Sequence, residues 1–103
     1  MKHTPGPWEM KPEEVDKPYI RIRGTQLGGR FKIANVLTPV YDGVPEREAK
    51  ETRANAQLIA AAPELLEALQ LCEEFMSQLP STGFDGLARV EGARKAITKA
   101  LGE

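Results

Sequence analysis

Few residues in this chain are equipped for covalent or acid–base chemistry. His3 is the only histidine and Cys72 the only cysteine. His3 stands near the start of the chain, and Cys72 falls within an apolar run with helical spacing. Nucleophilic or general acid–base catalysis needs a nucleophile, a base and an orienting group within reach of one another. Neither residue has such company in its own stretch of sequence. Glu64 with Glu67, and Glu73 with Glu74, are the paired carboxylates on offer. Their positions suit the solvated face or the acidic first turn of a helix. A lone Cys forms no internal disulfide, and no Cys/His cluster has zinc spacing. The inventory therefore predicts a protein that is not an enzyme and that holds no metal or cofactor.

Binding chemistry has more to draw on. Arg21, Arg23 and Lys32 lie on segments that alternate in hydropathy, at positions opposite the apolar ones. Arg30 closes a Gly-rich stretch whose backbone N–H groups suit an anion. The same cations also serve to protect sheet edges from aggregation, so phosphate cradle and edge protection are both open readings. The stretch has no strand–GxGxxG–helix order and matches no P-loop. Trp8, the only tryptophan, either stacks a base or seals a small core. Asn55 shares a helical face with Leu58, Ile59 and Ala62, which places its amide in apolar surroundings. There it would read a base edge or tie the helix to a backbone group.

These residues must be positioned by a small sheet and a set of helices. Tyr19-Ile20-Arg21-Ile22-Arg23 alternates with period two, the pattern of a half-buried strand. Phe31-Lys32-Ile33-Ala34-Asn35-Val36 does so with Phe31 and Ile33 inward, although Val36 breaks the phase. The glycines at 24, 28 and 29 supply the turn of a hairpin over 19–36. Trp8-Glu9-Met10 adds a short third strand, and Pro12 and Pro18 bracket an acidic loop. From Pro45-Glu46 the pattern turns helical, with a stripe at Ala49, Thr52, Ala56 and Ile59. Proline at 63 should break or bend that helix at Ala62-Pro63. A seam at Leu65, Leu69, Cys72, Met76 and Leu79 follows, with Leu66 and Phe75 beside it. After a turn at Pro80-Ser81-Thr82-Gly83, a last helix carries Leu87, Val90, Ile97 and Leu101. The expected fold is α+β: a three-stranded antiparallel sheet, then two to three helices forming an αα-hairpin.

Length and charge bound the rest. With 103 residues the chain is expected to be one domain, β-rich over 1–45 and helical over 46–103. A core this small leaves a monomer marginal, so a homo-oligomer is expected. No run approaches a membrane span, and MKHTPGPWEM lacks the apolar core of a signal peptide, so a cytoplasmic setting without membrane contact is expected. The net charge of −1 argues against nucleic acid as a partner. It is nevertheless uneven: 1–45 holds seven basic and five acidic residues, and 46–103 seven basic and ten acidic.

Two blocks carry a resemblance. His3-Thr4-Pro5-Gly6-Pro7-Trp8, and the run from Asn55 to Leu69 reading NAQLIAAAPELLEAL, resemble a widespread group of small phage and prophage proteins. Those proteins open with HTPGPW and later carry NAxLIAAAPELLEAL. The resemblance implies phage origin, and with it a site of action in a bacterial host cell, but no enzyme activity. A second likeness is one of layout, to phage anti-defence sponge proteins, which oligomerise and sequester cyclic-nucleotide or ADP-ribose-derived immune signals. It implies a nucleotide-derived small molecule as ligand, with Trp8, Arg21, Arg23, Arg30 and Asn55 as binding residues. Fold likeness does not by itself fix function. A module that docks a host protein through the helical hairpin is the other expectation.

Overall fold

The computed structural model describes residues 2–14, 16–29, 31–37, 46–79 and 84–103, without the side chains of 27, 29, 46–48 and 84–87. The elements follow in the order β1 (Trp8–Met10), β2 (Tyr19–Gly24), a 3-10 turn (Gln26–Gly29), β3 (Lys32–Leu37), α1 (Glu46–Ala60), α2 (Ala62–Gln78) and α3 (Phe84–Leu101). The strands form one antiparallel sheet in the order β1-β2-β3. This is the expected α+β arrangement. The Pro80–Gly83 turn and Arg30 lie outside the described residues. The described chain divides into two compact units, residues 4–63 and residues 64–103 with 2–3. The change of composition at 45/46 thus falls inside the first unit.

In the first unit, alternation along β2 buries Ile20 and Ile22 almost completely. Burying each contributes on the order of 1.5–3 kcal/mol. They meet Ala56 and Ala60 of α1, while Trp8, Met10, Ile33, Ala34 and Val36 close around them. The helix stripe differs from expectation at its last member: Ala60 is buried, and Ile59 is 37% exposed. Spacings of three, four and four from Ala49 through Thr52, Ala56 and Ala60 keep one side of a 3.6-residue helix against the sheet. The small side chains at 56 and 60 let the helix backbone approach the isoleucines.

The phase break at Val36 has a structural cause. Ile22 pairs with Ala34, but Arg23 pairs with Lys32, so Ile33 is an extra residue in β3. Such a bulge moves side chains beyond it to the opposite face. Ala34 and Val36 therefore face the core with the half-buried Ile33 beside them, whereas Phe31, expected inward, is 40% exposed. The turn between β2 and β3 has Gly28 at φ 72°, a backbone region that favours glycine.

The segment before β1 cannot act as a strand, because Pro5 and Pro7 have no N–H to donate. It is held instead through its carbonyls. Thr4 O accepts from Trp8 Nε1 at 3.1 Å, Gly6 O from Gln26 Nε2 at 3.2 Å, and Pro7 O from Thr25 Oγ1 at 2.8 Å. The Gly6-Pro7 peptide is cis. Gly6 packs directly on Pro63: a Cβ at residue 6 would lie 2.6 Å from the Pro63 Cβ. The two sequence blocks that suggested a phage family are thus in contact in the folded unit.

Residues 61–63 end α1 and start α2. Ala61 N donates to Gln57 O at 3.1 Å, the last bond of the first helix. Pro63 has no N–H to continue the ladder, but it is well suited to the first turn of a new helix. The break falls one residue earlier than expected, at Ala61, and two helices result.

In the second unit, Val90 and Ala93 of α3 are buried and Ile97 and Leu101 half-buried. On α2 the half-buried residues after Pro63 are Leu66, Leu69, Glu73 and Met76. Arg94 Nε donates to Glu73 Oε1 at 2.7 Å, which fixes the sides on which the two helices of the hairpin meet.

Candidate functional site

The sheet separates the residues proposed from sequence as one binding set. Trp8 lies opposite Gly24 in the register and packs on the core side, its indole N–H given to Thr4. Arg21 and Arg23 project from the other face, since they alternate with the buried isoleucines. Asn55 sits on α1, on the core side of the sheet, but it is exposed. This corrects the expectation of apolar surroundings for its amide: α1 buries Ala56 and Ala60, and the side carrying Asn55, Leu58 and Ile59 is left open. Within one copy of the chain, Trp8 and Asn55 do not converge with Arg21 and Arg23.

The outer face of the sheet is a small charged surface. Arg21 Nη2 donates to Glu14 Oε1 at 2.7 Å, and Lys17 Nζ lies 2.9 Å from Glu14 Oε2. The hydrogen bond from Lys17, with the nearby charges of Arg21 and Lys17, holds the Glu14 carboxyl below its ordinary value. A neighbouring carboxylate, Glu13, takes Arg53 Nε of α1 at 3.0 Å. Adjacent carboxylates of one loop thus engage cations on β2 and on α1. Arg23 Nη1 donates to Ile22 O at 3.1 Å and to Asn35 Oδ1 at 3.4 Å. In the register Arg23 stands between Glu9 of β1 and Lys32 of β3. Arg23 and Lys32 are thus like charges facing each other across strands, an arrangement that repels, with the Glu9 position on the other side of Arg23. Arg21 is already committed to Glu14.

A second surface is apolar. No residue of α2 is buried. Leu65, Leu71, Phe75 and Leu79 are 52–65% exposed, and Cys72 is exposed among them. The seam expected from sequence is divided: Leu69 and Met76 lie on the half-buried side with Leu66 and Glu73, whereas Leu65, Cys72 and Leu79 lie on the open side with Phe75. At about 100° per residue the apolar arc of α2 spans roughly 220° of its circumference. An amphipathic surface helix needs an arc of only about 100° or slightly more, so a single neighbour covers half of this one. The breadth of the arc was a signal in the sequence, since Leu71 and Phe75 extend it well beyond a two-residue-per-heptad seam. Four glutamates and no Lys or Arg accompany it between Ala62 and Gln78.

Among the described residues no group of His, Cys, Asp and Glu is placed to hold a metal ion, and no helix is long and apolar enough to cross a membrane. Comparison with curated proteins and with solved structures gives no match. The family model described as Salmonella phage P22 protein Y8K6 matches residues 1–103, the whole sequence. With the HTPGPW block seated on the proline of the AAAPE block, the chain belongs to this family of phage proteins.

Proposed function

We propose that this phage-family protein acts by binding rather than by turnover, as an interaction module that docks a partner helix on the open face of α2. The observation that supports this reading is the row Leu65, Leu71, Phe75 and Leu79, exposed on a helix with no buried residue. Contiguous exposed apolar side chains rimmed by polar ones are characteristic of interaction sites. Helix-in-groove recognition lays one apolar face of a helix against its partner, and Leu71, Phe75 and Leu79 recur every four residues along such a face. The glutamates beside the row suit a partner helix with basic flanks in the cytoplasm of the bacterial host. The test is recovery of partners, including untagged copies of the chain, by the tagged protein. Wild type and Arg23→Ala should recover the same partner, and Phe75→Glu should not. Equal recovery by Phe75→Glu would overturn the reading.

A second reading, anti-defence sequestration of a nucleotide-derived immune signal, draws support from the Arg23–Lys32 pair on the outer sheet face. Because Trp8 and Asn55 lie away from that pair, this reading requires a phosphate site on the sheet with the base held by another copy. Calorimetry with cyclic dinucleotides and ADP-ribose derivatives is the direct measurement. Heat that disappears in Arg23→Ala would support it, and no heat at high ligand concentration would exclude it.

A further inference from the structure

Resting on the reading of α2 as a docking face, we infer that its occupant is α3 of a second copy, so that two hairpins close into a four-helix dimer.

The need for a cover follows from size. The unit formed by residues 64–103 buries only Val90 and Ala93 among its described side chains while leaving Leu65, Leu71, Phe75 and Leu79 open. Units of about 40 residues do not ordinarily hold together on one core without metals, disulfides or association. Cys72 is free, and a second copy would supply the cover that this unit lacks.

Charge selects the occupant. α2 carries Glu64, Glu67, Glu73 and Glu74 without a cation, and α3 carries Arg89, Arg94, Lys95 and Lys99 against Asp85 and Glu91. One pair of this kind, Arg94 on Glu73, already joins the two helices inside the chain. Glu67 and Glu74 on α2, and Arg89, Lys95 and Lys99 on α3, remain exposed. A contact between α2 and its own copy in parallel would set glutamates against glutamates; α2 against the second copy's α3 sets opposite charges together.

Shape agrees. The exposed side of α3 presents Ala88, Gly92, Ala96 and Ala100 at intervals of four, a shallow strip flanked by Lys95 and Lys99. Glycine inside a helix costs about 1 kcal/mol relative to alanine. Among the described residues nothing requires it, since a Cβ at Gly92 would meet none of them within 4 Å. Large side chains such as Leu71 and Phe75 fit against such a strip as ridges into grooves. Seating α2 on the second copy's α3 then seats α3 on the second copy's α2, giving the two equal contacts of a closed two-fold interface.

Sedimentation of the full chain tests this, with the helical signal in circular dichroism as a check on folding. Wild type should sediment as a dimer of the 11.3 kDa chain. Gly92→Leu, which fills space open within the chain, should keep its helical signal and weaken the dimer at least about tenfold. Glu67→Lys/Glu74→Lys and Lys95→Glu/Lys99→Glu should each dimerise poorly alone and associate when mixed. A wild type that stays monomeric up to its solubility limit, or a Gly92→Leu dimer as tight as wild type, would overturn the inference. A monomer that still captures a host protein through Phe75 would overturn the second copy as occupant and leave the docking reading standing. A monomer whose capture of a host protein ignores Phe75 would remove both.

Discussion

At Gly6 a single missing methyl group permits the approach of two segments far apart in sequence. The Pro63 ring is rigid and cannot turn away from an added Cβ 2.6 Å distant. Gly6→Ala is therefore expected to cost about 1–3 kcal/mol, the usual range for overpacking, read as a lowered midpoint in urea. Gln26→Ala, which removes only an exposed hydrogen bond to Gly6 O, should cost less. Glu14 governs a different response. Its carboxyl is held below the ordinary 4.5 by Lys17 and Arg21, so it stabilises the folded state above that value. That stabilisation is lost as pH falls through the lowered folded-state value. Glu14→Gln should consequently lower the melting temperature at neutral pH and flatten its decline below pH 4.5. The same substitution releases Arg21, so if the outer sheet face takes phosphates it should bind them more tightly.

For the elements, local pattern was a good guide where one face of a segment is covered and the other is not. β2 met this condition on both sides of its alternation, and its strand, its hairpin and the outward arginines were legible in Tyr19–Arg23. In β3 the alternation misled at Phe31, expected inward and 40% exposed, and the break of phase at Val36 was the trace in the sequence of the residue inserted at Ile33. α1 was placed correctly at its start, but its buried stripe was extended through Ile59. The sheet prefers the smaller Ala60, since close approach to Ile20 and Ile22 outweighs the larger transfer energy of isoleucine. A pair of substitutions checks this: Ala60→Leu should destabilise by about 1–3 kcal/mol through overpacking, and Ile59→Ala by less than a fully buried deletion would. On α2 the sequence pattern showed every apolar residue but not which of them the hairpin would cover. That choice depends on α3, and in particular on Arg94 reaching Glu73. The candidate binding set met the same limit, because Trp8, Asn55 and the arginines each had a sound local reason, and the sheet placed them on different sides.

For the molecule as a whole, stability should differ between its two units. Residues 4–63 contain the fully buried isoleucines, and residues 64–103 contain only Val90 and Ala93 as buried side chains among those described. Hydrogen exchange should show slow amides along β2 and the Ala56–Ala60 turn of α1, with faster exchange along α2. If α2 is covered by a second copy, its protection should rise with protein concentration while that of β2 stays constant. Uniform protection at all concentrations would argue for a single cooperative unit. The near-neutral total charge hides a division of the same kind, with cations on the sheet and on α3 and an uninterrupted acidic α2.

The contact between Gly6 and Pro63 also sets an order of events during synthesis. Thr4–Trp8 leaves the ribosome long before the proline against which it must pack, and until then Thr25 and Gln26 hold the carbonyls of Pro7 and Gly6. Contacts this distant in sequence form late, after the nearer pairings have closed. A nascent chain stopped short of residue 63 would have its hairpin but an open N-terminal flap. Closure of that flap, followed as protection of the Trp8 indole from quencher, would report that the end of α1 has emerged.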